Sequence, residues 1–350
     1  MLGKKNVNGH PHIDHLEPAA GLPGGEVRIH GSGLNPAELR RPRVRFNDVD
    51  GSVVVSTSKF VIARVPDGAS SGPLTVQTSS TGEPSNPHEF RVGTTIAENL
   101  HPVTNPALDS EGNLYVTFSG SRGQKVPVAI FKIDTNYAVK PYINDMMNAT
   151  SIAFDDDGQM YVSSRFDGTV YRVARNGTMA AYAEGMGVAT GIAFDQEQNL
   201  YVGDRSGTIF KINRERDIFV FALLEPSVSA YHLAFSPSGD LYVTGPTTSS
   251  VDSVYKITPR GDVTSFYKGL GRPQGLAFDL DGNLYVAASY SGRRGIVRIS
   301  PDASASMAIA GQGLVGLAFA PGRSVILASN NAVHRLNWDV NGKVLASPEL

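Results

Sequence analysis

Six times between residue 96 and the C-terminus one phrase returns: an apolar strand, a turn, a second strand reading Leu-Tyr-Val or a near copy, and a third strand that runs apolar, bulky, basic, apolar. The clearest copies are TSIAFDDDGQMYVSSRFDGTVYRV from Thr150, TGIAFDQEQNLYVGDRSGTIFKI from Thr190 and QGLAFDLDGNLYVAASYSGRRGIVRI from Gln274, with weaker ones near Asn105, His232 and Gly316. The marker residues Tyr115, Tyr161, Tyr201, Tyr242, Tyr285 and Ile326 stand 46, 40, 41, 43 and 41 residues apart. A period of about forty built only from short strands predicts a β-propeller, because one small sheet cannot bury both faces until neighbouring sheets stack against it. The expected class is all-β, with six blades of four strands.

The chain of 350 residues leaves its first ninety or so for a second fold. A net charge of −2 supplies no global attraction to nucleic acid or anionic membranes, and the absence of cysteine excludes disulfides and thiolate chemistry. The opening MLGKKNVNGHPHIDH lacks the apolar run of a signal peptide, and no stretch approaches a membrane span. The expectation is a soluble, cytoplasmic chain, with export left open if a leader has been removed.

Residues 1–11 read as a tail. From 12 to 92 the chain alternates in strand fashion, as in Glu26-Val27-Arg28-Ile29-His30 and Arg43-Val44-Arg45-Phe46, punctuated by Gly and Pro. The order PHIDHLEPAAGLPGGEVRIHGSGL, a central VRF strand, VPDGASSGPLTVQT and a closing PHEFRV resembles the IPT/TIG family. That resemblance implies a small immunoglobulin-like β-sandwich used as a spacer, a docking surface or, in some transcription factors, a DNA contact. The arginines Arg40, Arg41, Arg43 and Arg45 suit a solvated edge that discourages strand aggregation better than a phosphate site. Residues 93–350 form the expected propeller. Ile96 to Thr104 align without a gap on Tyr182 to Thr190, so a strand near 94–98 is expected to complete the last blade, in competition with Lys343-Val344-Leu345-Ala346.

Features present in every repeat are read as serving the repeat. The basic residues Lys132, Arg172, Lys211, Lys256, Arg298 and Arg335 face Asp109, Asp155, Asp195 and Asp279 at the ends of first strands, where the fourth and sixth copies have Ser236 and Ala320. The acidic turns at Asp155 and Asp279 lack the later ligands of a calcium loop and read as hairpin turns.

Function is sought where the copies differ. Thr104, Thr150, Thr190, Tyr231, Gln274 and Val315 enter the first strands and form a polar, mostly uncharged inner ring. Arg165 and Arg205 leave second strands at matching positions of adjacent repeats. Arg272, the pair Arg293 and Arg294, and Arg122 with Lys125 add further cations on the same rim. Guanidinium groups around a hydroxyl-rich centre suit an anionic small molecule or an acidic protein segment. The expected ligand-binding set is Thr150, Thr190, Tyr231, Gln274, Arg165, Arg205, Arg272, Arg293 and Arg294.

The repeat phrase resembles the NHL-repeat group and, more distantly, the gluconolactonase family of six-bladed propellers. The latter resemblance implies a divalent metal held near the pore by a glutamate, asparagines and an aspartate. Asp204 matches that aspartate, but the ring positions that would carry glutamate and asparagine hold hydroxyls and an amide. No metal or other cofactor is therefore expected. The alternative reading is a diverged calcium-dependent lactonase with Asp204 and Asn148 as metal ligands and Asp204 and His232 as catalytic candidates. A nucleic-acid-binding propeller would use the same arginines but lacks interleaved exposed aromatics for base stacking, so neither nucleic acid nor membrane is an expected partner.

Overall fold

In the computed structural model residues 10–36, 41–118 and 126–345 are described; most of the tail, Arg40, Arg122, Lys125 and Ala346 lie outside them. Every regular element among the described residues is a β-strand, and the chain divides into two compact units.

The first unit comprises residues 1–94 together with 291–296 and 307–312. Its strands follow the order His12–Glu17, Glu26–Ser32, Phe60–Arg64, Val49–Ser56, Arg43–Phe46, Gly72–Gln77, His88–Val92 and Ala20–Gly21. Alternation sends Val27, Ile29, Val44, Phe46, Val61, Leu74, Val76 and Phe90 into one core, where the Phe46 and Phe90 rings meet edge to face at 5.1 Å. The residues between them face outward. Arg43 and Arg45 both approach Asp50, at 3.5 and 3.6 Å, while Arg41 donates to the Val53 carbonyl at 2.8 Å.

Arg293 also belongs to this unit, which corrects its expected place in the ligand site. Its side chain is 6% exposed, and its two terminal nitrogens donate to the Glu17 carbonyl and carboxylate, each at 2.7 Å. A side chain alternates faces along a strand, so its neighbour Arg294 is exposed. Partial burial pushes the Glu17 carboxyl upward, but the Arg293 bond and charge, with His30 and Arg28, outweigh it and leave the group below its ordinary range.

The second unit is a β-propeller of four-stranded antiparallel blades. Four repeats supply complete sheets in chain order: 107–143, 149–183, 189–223 and 232–270. A further sheet joins Leu314–Ala320, Ser324–Ser329 and Ala332–Asn337 to the strand Thr94–Glu98. The C-terminal segment takes another course. Trp338 packs against Tyr285 at 5.1 Å, Asn341 accepts from Leu280, and Lys343 donates to Phe278.

Aromatic seams join the sheets. Tyr161 meets Tyr182 of its own outer strand at 4.9 Å and Phe194 of the next repeat at 5.0 Å. Tyr115, Tyr201 and Tyr242 repeat the arrangement, and Trp338 fills the outer place beside Tyr285. Acidic turns lock these tyrosines in place, as Asp109 does Tyr115 at 3.1 Å, except at Tyr242, whose repeat has Ser236 at the aspartate position. Asp279 accepts from the Asn283 backbone at 2.8 Å, the Asn283 amide at 2.7 Å and the Tyr285 hydroxyl at 3.0 Å. Burial and this carboxylate push the Tyr285 hydroxyl well above its ordinary pKa. The third-strand cations adapt to local partners: Lys211 stands 4.0 Å from Asp195, Lys256 pairs with Asp240 at 2.9 Å where Ser236 replaces the usual carboxylate, and Arg298 donates to Asn283.

Candidate functional site

At the inner ends of the first strands, polar groups link each repeat to the next. Thr104 Oγ1 donates to the Thr150 carbonyl at 2.8 Å, Ser163 Oγ donates to the Thr190 carbonyl, and the Tyr231 N–H donates to Thr190 Oγ1 at 3.1 Å. The circuit continues from Thr244 Oγ1 to the Gln274 carbonyl and from the Gly275 N–H to the Val315 carbonyl. It returns to the first repeat through Asn105, whose Oδ1 accepts from Leu317 N at 3.1 Å and whose amide donates to the Leu276 carbonyl at 2.8 Å. Asn105 occupies space that only glycine leaves free, since a Cβ on Gly316 would lie 2.6 Å from its backbone nitrogen and one on Gly275 would strike its Oδ1.

This circuit corrects the expected roles of three ring residues. Thr150 is buried and its hydroxyl donates to Asn148. Thr190 donates to the Gly203 carbonyl at 2.7 Å while accepting from Tyr231. Tyr231 is 1% exposed, and its hydroxyl donates to the Glu225 carbonyl. Glycines at 203 and 245 make room for its ring. All three hydroxyls thus donate to nearby carbonyls, and the Thr190 hydroxyl also links its repeat to the next by accepting from Tyr231. Gln274 is half-buried, and its backbone joins the same network through Ala287 and Thr244.

Asp204 is also engaged within its own repeat. It is 6% exposed; its Oδ1 accepts from Val188 N at 2.8 Å and from Ser206 N at 3.3 Å, and its Oδ2 accepts from Ser206 Oγ. A Cβ on Gly187 would come within 2.9 Å of the carboxylate, so Gly187 lets the loop close over it. His232 is 4% exposed and begins a first strand opposite Thr244. Burial lowers its pKa from 6.5 to about 4, so the imidazole is neutral near pH 7. Asn148 is half-buried in a left-handed turn, at a φ of 51°. Its carbonyl accepts from Thr150 and from the Arg165 backbone. Among the described residues no group of three or more His, Cys, Asp or Glu side chains converges as metal ligands would.

Arg165 and Arg205 do come together. Together with Thr190, Val188, Val228, Ser229 and Ala230 they line a cleft of about 160 Å³. Equivalent turns fix the two arginines, the Arg165 N–H donating to Asn148 and the Arg205 N–H to Val188. Arg205 is exposed, whereas Arg165 is half-buried and engaged within the protein. Arg272 and Arg294 are exposed and are not among the lining residues. The Arg272 N–H donates to Asp252 at 3.2 Å.

Residues 228–230 were not anticipated as part of this cleft. Their signal in the chain is a longer connection into the fourth repeat, 224–231, against 144–148 and 184–188 into the two preceding ones.

No protein-family model matches the chain, and no curated protein matches its sequence. Solved structures share its fold. An auxiliary nutrient binding protein from Bacteroides thetaiotaomicron is 13% identical with a TM-score of 0.56, over 94% of this chain and 98% of that one. Regucalcin, a calcium-binding protein from Agrobacterium tumefaciens, is 15% identical with a TM-score of 0.59, over 74% and 97%. A gluconolactonase from Xanthomonas campestris is 15% identical with a TM-score of 0.55, over 69% and 88%. At these identities the likeness is one of fold.

Proposed function

We propose that this chain is a binding protein whose propeller receives an anionic small molecule, or the acidic side chains of a protein segment, between Arg165 and Arg205. The single observation that carries this reading is that two arginines at matching positions of adjacent repeats line one cleft, which contains no carboxylate. The other repeats have Ser119, Pro246, Ser289 and Asn330 at the corresponding sequence positions, so the blade itself does not require arginine there. The propeller is read as six-bladed. Support comes from the six copies of the phrase, the strand order that runs on through the fifth copy, and the hydrogen-bond circuit that passes through six repeats before returning to Asn105. The first unit is read as an IPT/TIG-like sandwich serving as a spacer or docking surface, on the strength of its motif order and two-residue alternation. The nutrient-binding fold neighbour is in keeping with a binding role.

Titrating sugar acids, sugar phosphates and acidic peptides against wild type and Arg165→Ala/Arg205→Ala tests the reading. Loss of charge-assisted bonds is expected to cost about 1.5–3 kcal/mol, or roughly ten- to a hundredfold in affinity. An anion that binds both proteins equally would place its site elsewhere. The second reading, a calcium-dependent lactonase, draws on the regucalcin and gluconolactonase folds. It requires Asp204 to exchange the Val188 and Ser206 bonds for a cation. One equivalent of metal in protein purified without chelator, lost with lactone hydrolysis in Asp204→Ala, would establish it.

A further inference from the structure

The groups lining the cleft differ in what they can still offer a ligand. Thr190 already donates to Gly203 and accepts from Tyr231, and the Val188 N–H donates to Asp204. Arg165 is half-buried and engaged within the protein, so its guanidinium counts as part of the wall. Arg205 differs. Its backbone is fixed by Val188 and Ser227, while its exposed side chain makes no hydrogen bond or ion pair among the described residues. The longer connection 224–231 supplies Val228, Ser229 and Ala230, and Val228 keeps 48% of its surface exposed. The cleft therefore offers one available cation, the Ser229 hydroxyl and the aliphatic surface of Val188, Val228 and Ala230.

One guanidinium can hold one carboxylate through paired hydrogen bonds. A second carboxylate on the ligand would give up water without a cation to receive it. The hydroxyl chain of a sugar acid would likewise leave water for valine and alanine, and a polar group desolvated without a partner is costly. A short alkyl group gains from the same contact, because it covers Val228 surface that water now wets. A volume of about 160 Å³ suits an acid of a few carbons rather than a nucleotide or an oligosaccharide.

Resting on the anion-binding reading, we infer that this cleft selects a short monocarboxylate with an apolar body, its carboxylate on Arg205 and its alkyl group against Val188, Val228 and Ala230. The test is a ligand-observed NMR titration of the full chain at low salt with acetate, butyrate, isovalerate, succinate and gluconate. Each carbon buried against the wall is worth about fourfold at most, so isovalerate is expected to bind at least about tenfold more tightly than acetate or gluconate. Succinate, with the four carbons of butyrate and a second carboxylate, should bind no more tightly than butyrate. Val228→Ser should cut the isovalerate advantage to about threefold or less and leave acetate unchanged, whereas Arg205→Ala should weaken both acids about tenfold or more. Both side chains are exposed, so both variants are expected to keep the wild-type melting temperature, which is measured in parallel. Gluconate or succinate binding as tightly as isovalerate, or an isovalerate advantage that survives Val228→Ser, with affinity still lost in Arg205→Ala, overturns the selectivity and leaves the anion-binding reading standing. Binding by none of these acids, or binding unchanged in Arg165→Ala/Arg205→Ala, overturns both.

Discussion

Tyr285 and Tyr242 occupy the same place in two repeats, each between two aromatic rings, and differ in the partner of the hydroxyl. The Tyr285 hydroxyl donates to buried Asp279 at 3.0 Å. In the fourth repeat Ser236 stands where that aspartate would be, and Asp240 is paired with Lys256 at 2.9 Å. Tyr285→Phe is therefore expected to cost about 1–2 kcal/mol in chemical denaturation and Tyr242→Phe less than about 0.5 kcal/mol. Equal costs would mean that the aromatic contacts, and not the carboxylate, set the value of the tyrosine. Buried histidines give a second residue-scale outcome. His232 and His334 each have a pKa lowered by burial from 6.5 to about 4. Between those values the unfolded chain binds more protons than the folded one. Stability is therefore complete above pH 6.5 and falls as the pH drops toward 4. Melting temperatures recorded across this window should decline less steeply in His232→Gln/His334→Gln than in wild type; parallel slopes would assign the acid sensitivity to other groups.

Among the elements, the strand Thr94–Glu98 pairs far along the sequence, lying beside Ala332–Asn337. Its Ala97 is buried with Leu100, Leu108, Leu114, Ile133 and Val333. Ala97→Asp places a carboxylate in that apolar cluster and is expected to destabilise the propeller by about 2–4 kcal/mol, read by urea denaturation. A change below about 0.5 kcal/mol would show that the strand is dispensable. This element was legible in the chain because Ile96–Thr104 copies the register of Tyr182–Thr190, hydrophobic pattern included. The path of residues 338–343 was not legible. Nothing in Lys343-Val344-Leu345 signals that Trp338 will complete the Tyr285 seam, because that fit depends on a vacancy in another repeat.

For the molecule as a whole, the repeat period and the hydrophobic alternation made the propeller readable, since both are one-dimensional consequences of stacking small sheets. The candidate site was only half readable. Matching offsets in adjacent repeats brought Arg165 and Arg205 to one cleft, as the spacing suggested. Composition could not tell which polar residues were already occupied: the hydroxyls of Thr150, Thr190 and Tyr231 are used by the carbonyls of Asn148, Gly203 and Glu225, and the guanidinium of Arg293 by Glu17, far away in the chain. The account's central claim is that an anion sits between Arg165 and Arg205 while Asp204 keeps its bonds to Val188 and Ser206. A high-resolution crystal structure of the protein soaked with both a sugar acid such as gluconate and calcium tests it most directly. The account predicts a carboxylate within hydrogen-bond distance of Arg205 and an unchanged Asp204; a calcium ion held by Asp204 and Asn148, with the acid bound elsewhere or absent, would contradict it.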